Sequence, residues 1–129
     1  MKLVKAKETS YIPLAHTNSQ KPEAWKKVLF THSDLVTGKI QMINWAKLPS
    51  GNRVNAHYHQ SMQEIFIILK GTVSMTIDKA KVILEKGDAI AVPIKSVHAM
   101  KNIGKTEVLY ITLGITTGKN GKTVQANYE

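Results

Sequence analysis

From Val28 onward the chain is cut at short intervals by turn-forming residues: Gly38, Pro49-Ser50-Gly51, Gly71, Asp78-Lys79, Gly87-Asp88, Pro93 and Gly104. The segments between them are rich in β-branched and large apolar side chains, and no helical apolar period intervenes. They read as nine strands: Val28–Thr31, Lys39–Ala46, Arg53–His59, Glu64–Leu69, Thr72–Ile77, Lys81–Leu84, Ala89–Val92, Ala99–Asn102 and Val108–Leu113. Many short strands with little room for helices predict an all-β sandwich or barrel. Residues 1–25 form an N-terminal extension in which Pro13 and Pro22 forbid a long helix. Ala24 to Lys27 reads as a short helical turn. The tail, 116–129, carries Asn120-Gly121, a turn signal.

Two of these segments hold residues that bind metals. His57 and His59 stand two apart, so on a strand they share a face and lie roughly 6.5–7 Å apart along it. Two imidazole nitrogens so placed can meet one cation at about 2.0–2.2 Å. Glu64 follows after Gln60-Ser61-Met62-Gln63 and opens the apolar run Ile65–Leu69. An antiparallel return would bring it back beside the histidines. His98 arrives after Pro93, on another strand. The other two histidines, His16 and His32, sit in no such frame and read as ordinary surface residues.

The frames around these residues resemble the two motifs of the cupin superfamily. The first, G-x5-H-x-H-x3-4-E-x6-G, is filled at every fixed position by Gly51, His57, His59, Glu64 and Gly71. The second, G-x5-P-x-G-x2-H-x3-N, is filled by Gly87, Pro93, His98 and Asn102, with Lys95 where the pattern has Gly. The resemblance implies a single-domain cupin, a small jelly-roll β-barrel, over roughly residues 26–115. It also implies one divalent transition metal held by His57, His59, Glu64 and His98. Three imidazoles and a carboxylate suit Fe, Mn, Ni, Cu or Zn better than Mg or Ca. They leave about two positions open on a six-coordinate ion for substrate oxygens or dioxygen. The usual Gly suits a turn of positive φ, so Lys95 either bears some strain or the turn is rebuilt.

Composition narrows the partners. The 129 residues contain no cysteine, which excludes disulfides, zinc-thiolate sites and a thiol nucleophile. No run approaches a membrane span, and the N-terminus lacks a signal peptide's apolar stretch, so a soluble cytoplasmic protein is the default expectation. The formal net charge of +9 comes from scattered lysines and a single arginine, Arg53. Readers of nucleic acid cluster their cations and favour arginine, so no nucleic-acid partner is expected. A positive field does concentrate anions, which keeps an anionic ligand in view.

Strand parity places Phe66 and Ile68 on the Glu64 side, Met100 and Asn102 on the His98 side, and Arg53 with His57 and His59. These five pocket expectations are completed by a sixth, Lys95, read as either reaching over the pocket mouth or simply solvated. For 39–46 the phase stays open between Met42 with Asn44 and Gln41 with Ile43 and Trp45. The run Ile65–Leu69 is apolar on both faces, so one face needs cover from the N-terminal extension or a second subunit. Cupins are often dimers, which favours a homodimer. The expected function is metal-dependent chemistry of oxygenase type on a small oxygenated molecule, with an anionic one in view and Glu64 also a candidate base. The alternatives are a non-catalytic metal-containing cupin that binds a small ligand such as a sugar, and a sugar-phosphate isomerase-like cupin.

Overall fold

The computed structural model describes residues 1–14, 20–118 and 123–126. Eleven strands are found among them: β1 Ile12–Pro13, β2 Trp25–Thr31, β3 Ile40–Leu48, β4 Arg53–His59, β5 Met62–Lys70, β6 Val73–Ile77, β7 Ala80–Leu84, β8 Ala89–Val92, β9 His98–Asn102, β10 Val108–Thr116 and β11 Thr123–Gln125. Two short 3-10 turns, Ala6–Glu8 and His32–Asp34, are the helical elements. The strands form two sheets, ordered β1-β2-β3-β10-β5-β8 and β11-β4-β9-β6-β7, with the antiparallel pairings of a cupin jelly roll.

The core lies between the sheets. Leu48, Ile68, Val73, Met75, Val92 and Val108 are almost wholly shielded from solvent. Inward residues alternate along β3, β5 and β10, as a period of two requires. This resolves the phase of β3: Asn44, Ala46 and Leu48 face in, while Ile43 and Trp45 face out.

Three expectations change. Ala24–Lys27 is no helical turn: Trp25 onward pairs with β3, Trp25 opposite Lys47, and β-sheet partners override weak local preference. Glu64 does come to lie beside the histidines, but from the opposite sheet rather than by an antiparallel return next to β4. Gln60 and Ser61 carry the chain from one sheet to the other, so β4 and β5 face each other across the core. Arg53 does not share the face of His57 and His59. In β4 the register against β9 slips between Val54 and His57, with Val54 opposite Met100 and His57 opposite His98. That extra residue is a β-bulge, which reverses parity: Val54 and His57 both point inward and Arg53 points out.

The N-terminal segment lies over the outer face of the larger sheet at its β2–β3 end. There Trp45 Nε1 donates to the Tyr11 hydroxyl at 3.0 Å, and the Lys27 and Lys47 ammonium groups lie 4.6 and 4.2 Å from the Tyr11 ring centre. The turn signal Asn120-Gly121 and His16 lie outside the described residues.

Candidate functional site

The smaller sheet supplies three imidazoles. His57 and His59 project inward from β4, and His98, the first residue of β9, is the direct cross-strand partner of His57. The ring centroids of His57 and His98 are 4.3 Å apart, and those of His57 and His59 are 5.2 Å apart. Glu64, on β5 of the other sheet, reaches across. Its Oε1 lies 2.6 Å from His59 Nε2 and 3.0 Å from His98 Nε2. One ligand atom from each of the four residues falls within 4.8 Å of all the others, and all four side chains are buried. Donors held about 2.1 Å from one ion lie roughly 3 Å apart at right angles and roughly 4.2 Å apart when opposed. The cluster has the dimensions of such a site.

Its hydrogen bonds point the same way. The Nδ1–H of His57 donates to the Asn55 carbonyl at 2.7 Å, and that of His98 to the Ser96 carbonyl at 2.9 Å. A carbonyl only accepts, so Nδ1 carries the proton in both rings and Nε2 is left as the basic nitrogen. The Thr123 hydroxyl stands 2.9 Å from His59 Nδ1 and steers the third ring likewise. Outer partners of this kind orient imidazoles for metals. The basic Nε2 of a neutral His98 and the Glu64 carboxylate, 3.0 Å apart, are both acceptors, so only a proton or a cation reconciles them. The donor set therefore fits a divalent cation.

Burial alone would push the Glu64 carboxyl up. The hydrogen bonds and electrostatic attraction of the neighbouring His59 and His98 rings outweigh it and hold the group well below the usual carboxylate range. Burial, with a contribution from the Glu64 charge, pushes the Tyr110 phenol far above its ordinary value, so it stays a neutral donor.

Beside the cluster lies a cavity of about 240 Å³. Phe66 and Met100 line it, as do all four clustered residues. Ile68 and Asn102 share the inward phase but do not line it. Each stands four residues along its strand from Glu64 or His98, roughly 13 Å at 3.3 Å per residue. Asn102 instead clamps the far end of the barrel: its Nδ2 donates to the Leu48 and Thr106 carbonyls at 2.9 and 2.8 Å, and its Oδ1 accepts from Gly104 N–H. Lys95 is exposed, off the cavity wall, with φ +64° and its N–H donating to the His59 carbonyl at 2.8 Å. The left-handed turn is thus kept with a non-glycine in it. Arg53 lines a different, larger depression of about 560 Å³ on the outer face of the smaller sheet, with Lys81 and Lys101 and none of the four clustered residues.

The cavity wall also holds Lys26, Thr112, Tyr110 and Met62, which sequence reasoning missed, and Asn44 with Met42, which it left open as one phase of β3. They come from β2, β3, β5 and β10, far apart in sequence and in no spaced frame. Only inward parity could have found Asn44 and Thr112, and in β3 that parity was unreadable.

The comparisons with known proteins agree with this geometry. A family model described as the cupin domain matches residues 44–114, more than half of the chain. Over 73 residues the chain is 37% identical to an uncharacterised protein of Methanocaldococcus jannaschii, covering 57% of this chain and 58% of that one. Over 53 residues it is 36% identical to quercetin 2,3-dioxygenase of Bacillus subtilis, covering 41% of this chain and 16% of the enzyme. The chain thus spans under two thirds of the curated relatives it matches. A predicted oxalate decarboxylase from Thermotoga maritima superposes with a TM-score of 0.79 at 22% identity, covering 89% of this chain and 99% of that one, a likeness of fold. With its residues 44–114 matching the cupin domain and its jelly-roll sheets enclosing a His-His-Glu-His cluster, this chain belongs to the cupin family.

Proposed function

We propose that the protein is a metal-dependent cupin acting on a small oxygenated molecule. The observation that carries this reading is the convergence of four buried ligand atoms beside a mainly apolar cavity, with two of the imidazoles tied at Nδ1 to backbone carbonyls. A bound Fe, Mn, Ni, Cu or Zn ion would supply Lewis-acid polarisation or a meeting point for substrate and dioxygen. The chain's own residues do the rest. Asn55 and Ser96 carbonyls fix the rings of His57 and His98, and Glu64 brings the negative charge. Phe66, Met100 and the two methionines exclude water from the space where a ligand would lie. At about 240 Å³ that space falls below the usual range of roughly 300–1,000 Å³ for drug-sized ligands, which suits a small molecule.

An oxygenase-type reaction is the favoured form, supported by the partial likeness to a dioxygenase. The isomerase-like alternative wants several cations for a phosphate. Lys26 is the one Lys or Arg among the described residues of the wall, and Arg53 faces away. The test is elemental analysis of protein purified without chelator, followed by dioxygen uptake with candidate substrates. About one equivalent of iron or copper with substrate-dependent uptake is the expected result. Zinc or nickel without uptake would turn the reading to Lewis-acid chemistry or ligand binding. No bound metal, even after reconstitution, would refute it.

The assembly proposed with this function is a homodimer through the outer face of the larger sheet. There Ile65 and Ile67 on β5 lie opposite Leu113 and Ile111 on β10, which lie opposite Ile43 and Trp45 on β3. All six are only partly buried, a contiguous apolar surface of the kind that seeks a partner. Light scattering at micromolar concentration checks it, and a monomer would count against it.

A further inference from the structure

One buried polar atom stands out. Asn44 is 7% exposed and its Oδ1 has no hydrogen-bond partner among the described residues. Its Nδ2 does no better than the Met42 sulfur, at 3.4 Å. An amide shut away from water without a strong partner opposes folding, and an apolar residue of similar size would be the better choice for stability alone. Asn44 nevertheless lines the cavity beside the clustered His and Glu residues. Its cross-strand neighbour Thr112, also buried, lines it too. Thr112 in turn stands opposite Phe66, two residues along β5 from Glu64. A two-residue polar spot therefore sits in an apolar wall, one side-chain row from the carboxylate. Among the described residues the same cavity receives Lys26 as its one Lys or Arg, and Glu64 as its one acidic residue.

We infer that Asn44, with Thr112, is the specificity-determining pair for a ligand hydroxyl, and that Lys26 selects an anionic ligand, so that the cavity takes a small hydroxycarboxylic acid. This rests on the proposed function for the identity of the site but not for its metal. A hydroxyl both donates and accepts, so it satisfies the Asn44 carboxamide in either orientation of the amide. The Asn44 Oδ1 itself is shielded, and the two atoms closest to the space above Gly114 are thioether atoms. A Cβ there would meet Met62 Sδ at 2.5 Å and Met42 Cε at 3.0 Å. Methionine side chains repack readily, so a ligand entering beside Glu64 can displace Met42 and replace its sulfur as the partner of Asn44. Gly114 is the direct cross-strand partner of Glu64, which puts this adaptable patch next to the cluster.

The experiment uses two matched pairs of probes: lactate against propionate, and malate against succinate. Each pair differs by one hydroxyl. Binding to the full chain is measured by calorimetry or NMR titration, with nickel added and again after chelation. The wild-type protein is expected to bind the hydroxy acid about tenfold more tightly than its partner in the chelated form as well, the worth of one well-made hydrogen bond. In Asn44→Leu that ratio should fall to within about twofold, while thermal unfolding of the ligand-free protein moves up by roughly 2–6 °C. In Lys26→Met both acids of a pair should weaken alike, with the ratio kept. A preference that survives Asn44→Leu overturns the assignment of Asn44. A preference seen only with nickel present means that the metal reads the hydroxyl, and overturns it equally. Equal weakening of acids and uncharged analogues in Lys26→Met overturns the role of Lys26. Failure of nickel to bind at all would sink the metal-dependent function yet leave the chelated comparison to decide Asn44.

Discussion

The two sheets share one core and differ in everything else. The smaller sheet turns its chemistry inward and its charge outward. His57, His59 and His98 face the core, while Arg53, Lys81 and Lys101 line the depression on its outer face. Among the described residues the larger sheet brings Glu64 and Lys26 to the cavity within a mostly apolar wall. Its outer face is apolar as well, along Ile43, Ile65, Ile67, Ile111 and Leu113. A sheet that faces water on one side can carry cations there at no cost, and a sheet that is apolar on both sides needs a second cover. The candidate ligand site lies between the sheets and the proposed dimer interface on the outer face of the larger one, so a change in one should leave the other intact.

The strongest way to break that division is to remove a ligand. His98→Ala should lower affinity for nickel or zinc by more than the roughly 10–100-fold that loss of an outer partner costs. The barrel should stay folded and its oligomeric state unchanged, because Leu48, Ile68, Val73 and Val108 carry the core without the site. Metal titration, circular dichroism and light scattering on one sample check all three. If chelation alone unfolded the wild-type protein, the metal would be structural, and the division between site and core would fail.

The complementary change is Ile111→Lys, at the centre of the outer apolar face, between Trp45 on one side and Ile67 on the other. A lysine buried in a dimer interface without a partner should weaken association by at least about 100-fold, given that stranded charges cost several kcal/mol. Sedimentation should then show monomers, and metal affinity should be that of the parent. Loss of metal binding in this variant would show that the outer face of the larger sheet and the metal cluster are coupled.

A smaller effect sharpens the account of the site itself. Thr123→Val removes the hydroxyl 2.9 Å from His59 Nδ1 and keeps the shape. Metal affinity should fall about tenfold, the lower end for an outer partner, with β11 still paired to β4. An unchanged affinity would mean that the His59 ring is held by Glu64 and by packing alone.

The convergence of His57, His59, Glu64 and His98 was legible because its determinants are short-range. His57 and His59 need only strand parity, and Glu64 and His98 lie inside frames of Gly and Pro. The all-β class was legible for the same reason, from the spacing of turns. What lay beyond reading was non-local. The bulge that turns Arg53 outward exists only in the register of β4 against β9, and no single strand shows it. The crossing that puts Glu64 on the opposite sheet from the histidines depends on where Gln60 and Ser61 lead, not on what they are. β1 and β11 pair with the edges that β2 and β4 offer them, and at two and three residues they are too short to read from the sequence alone. Asn44 and Lys26 meet at the cavity although β2 and β3 carry no spacing signal at all.

The last and smallest prediction concerns Lys95, where this chain departs from the family pattern. Its φ of +64° lies in the left-handed region that glycine enters freely and lysine only under strain. The turn persists because its N–H donates to the His59 carbonyl at 2.8 Å and because the next strand starts with the buried His98. A glycine would keep that N–H and relieve the strain, at some entropic cost in the unfolded chain. The two terms nearly cancel, and strain should win by about 0.5–1 kcal/mol. Thermal unfolding of Lys95→Gly should therefore rise by a few degrees, with metal affinity unchanged. Lys95→Met keeps the strain and removes only the charge, so its stability should match the parent. If the glycine variant instead lost affinity for lactate and malate while gaining stability, and Lys95→Met lost it too, the exposed ammonium would be steering anions to the cavity mouth. A loss in the glycine variant alone would point to the turn, whose rigidity then positions His98.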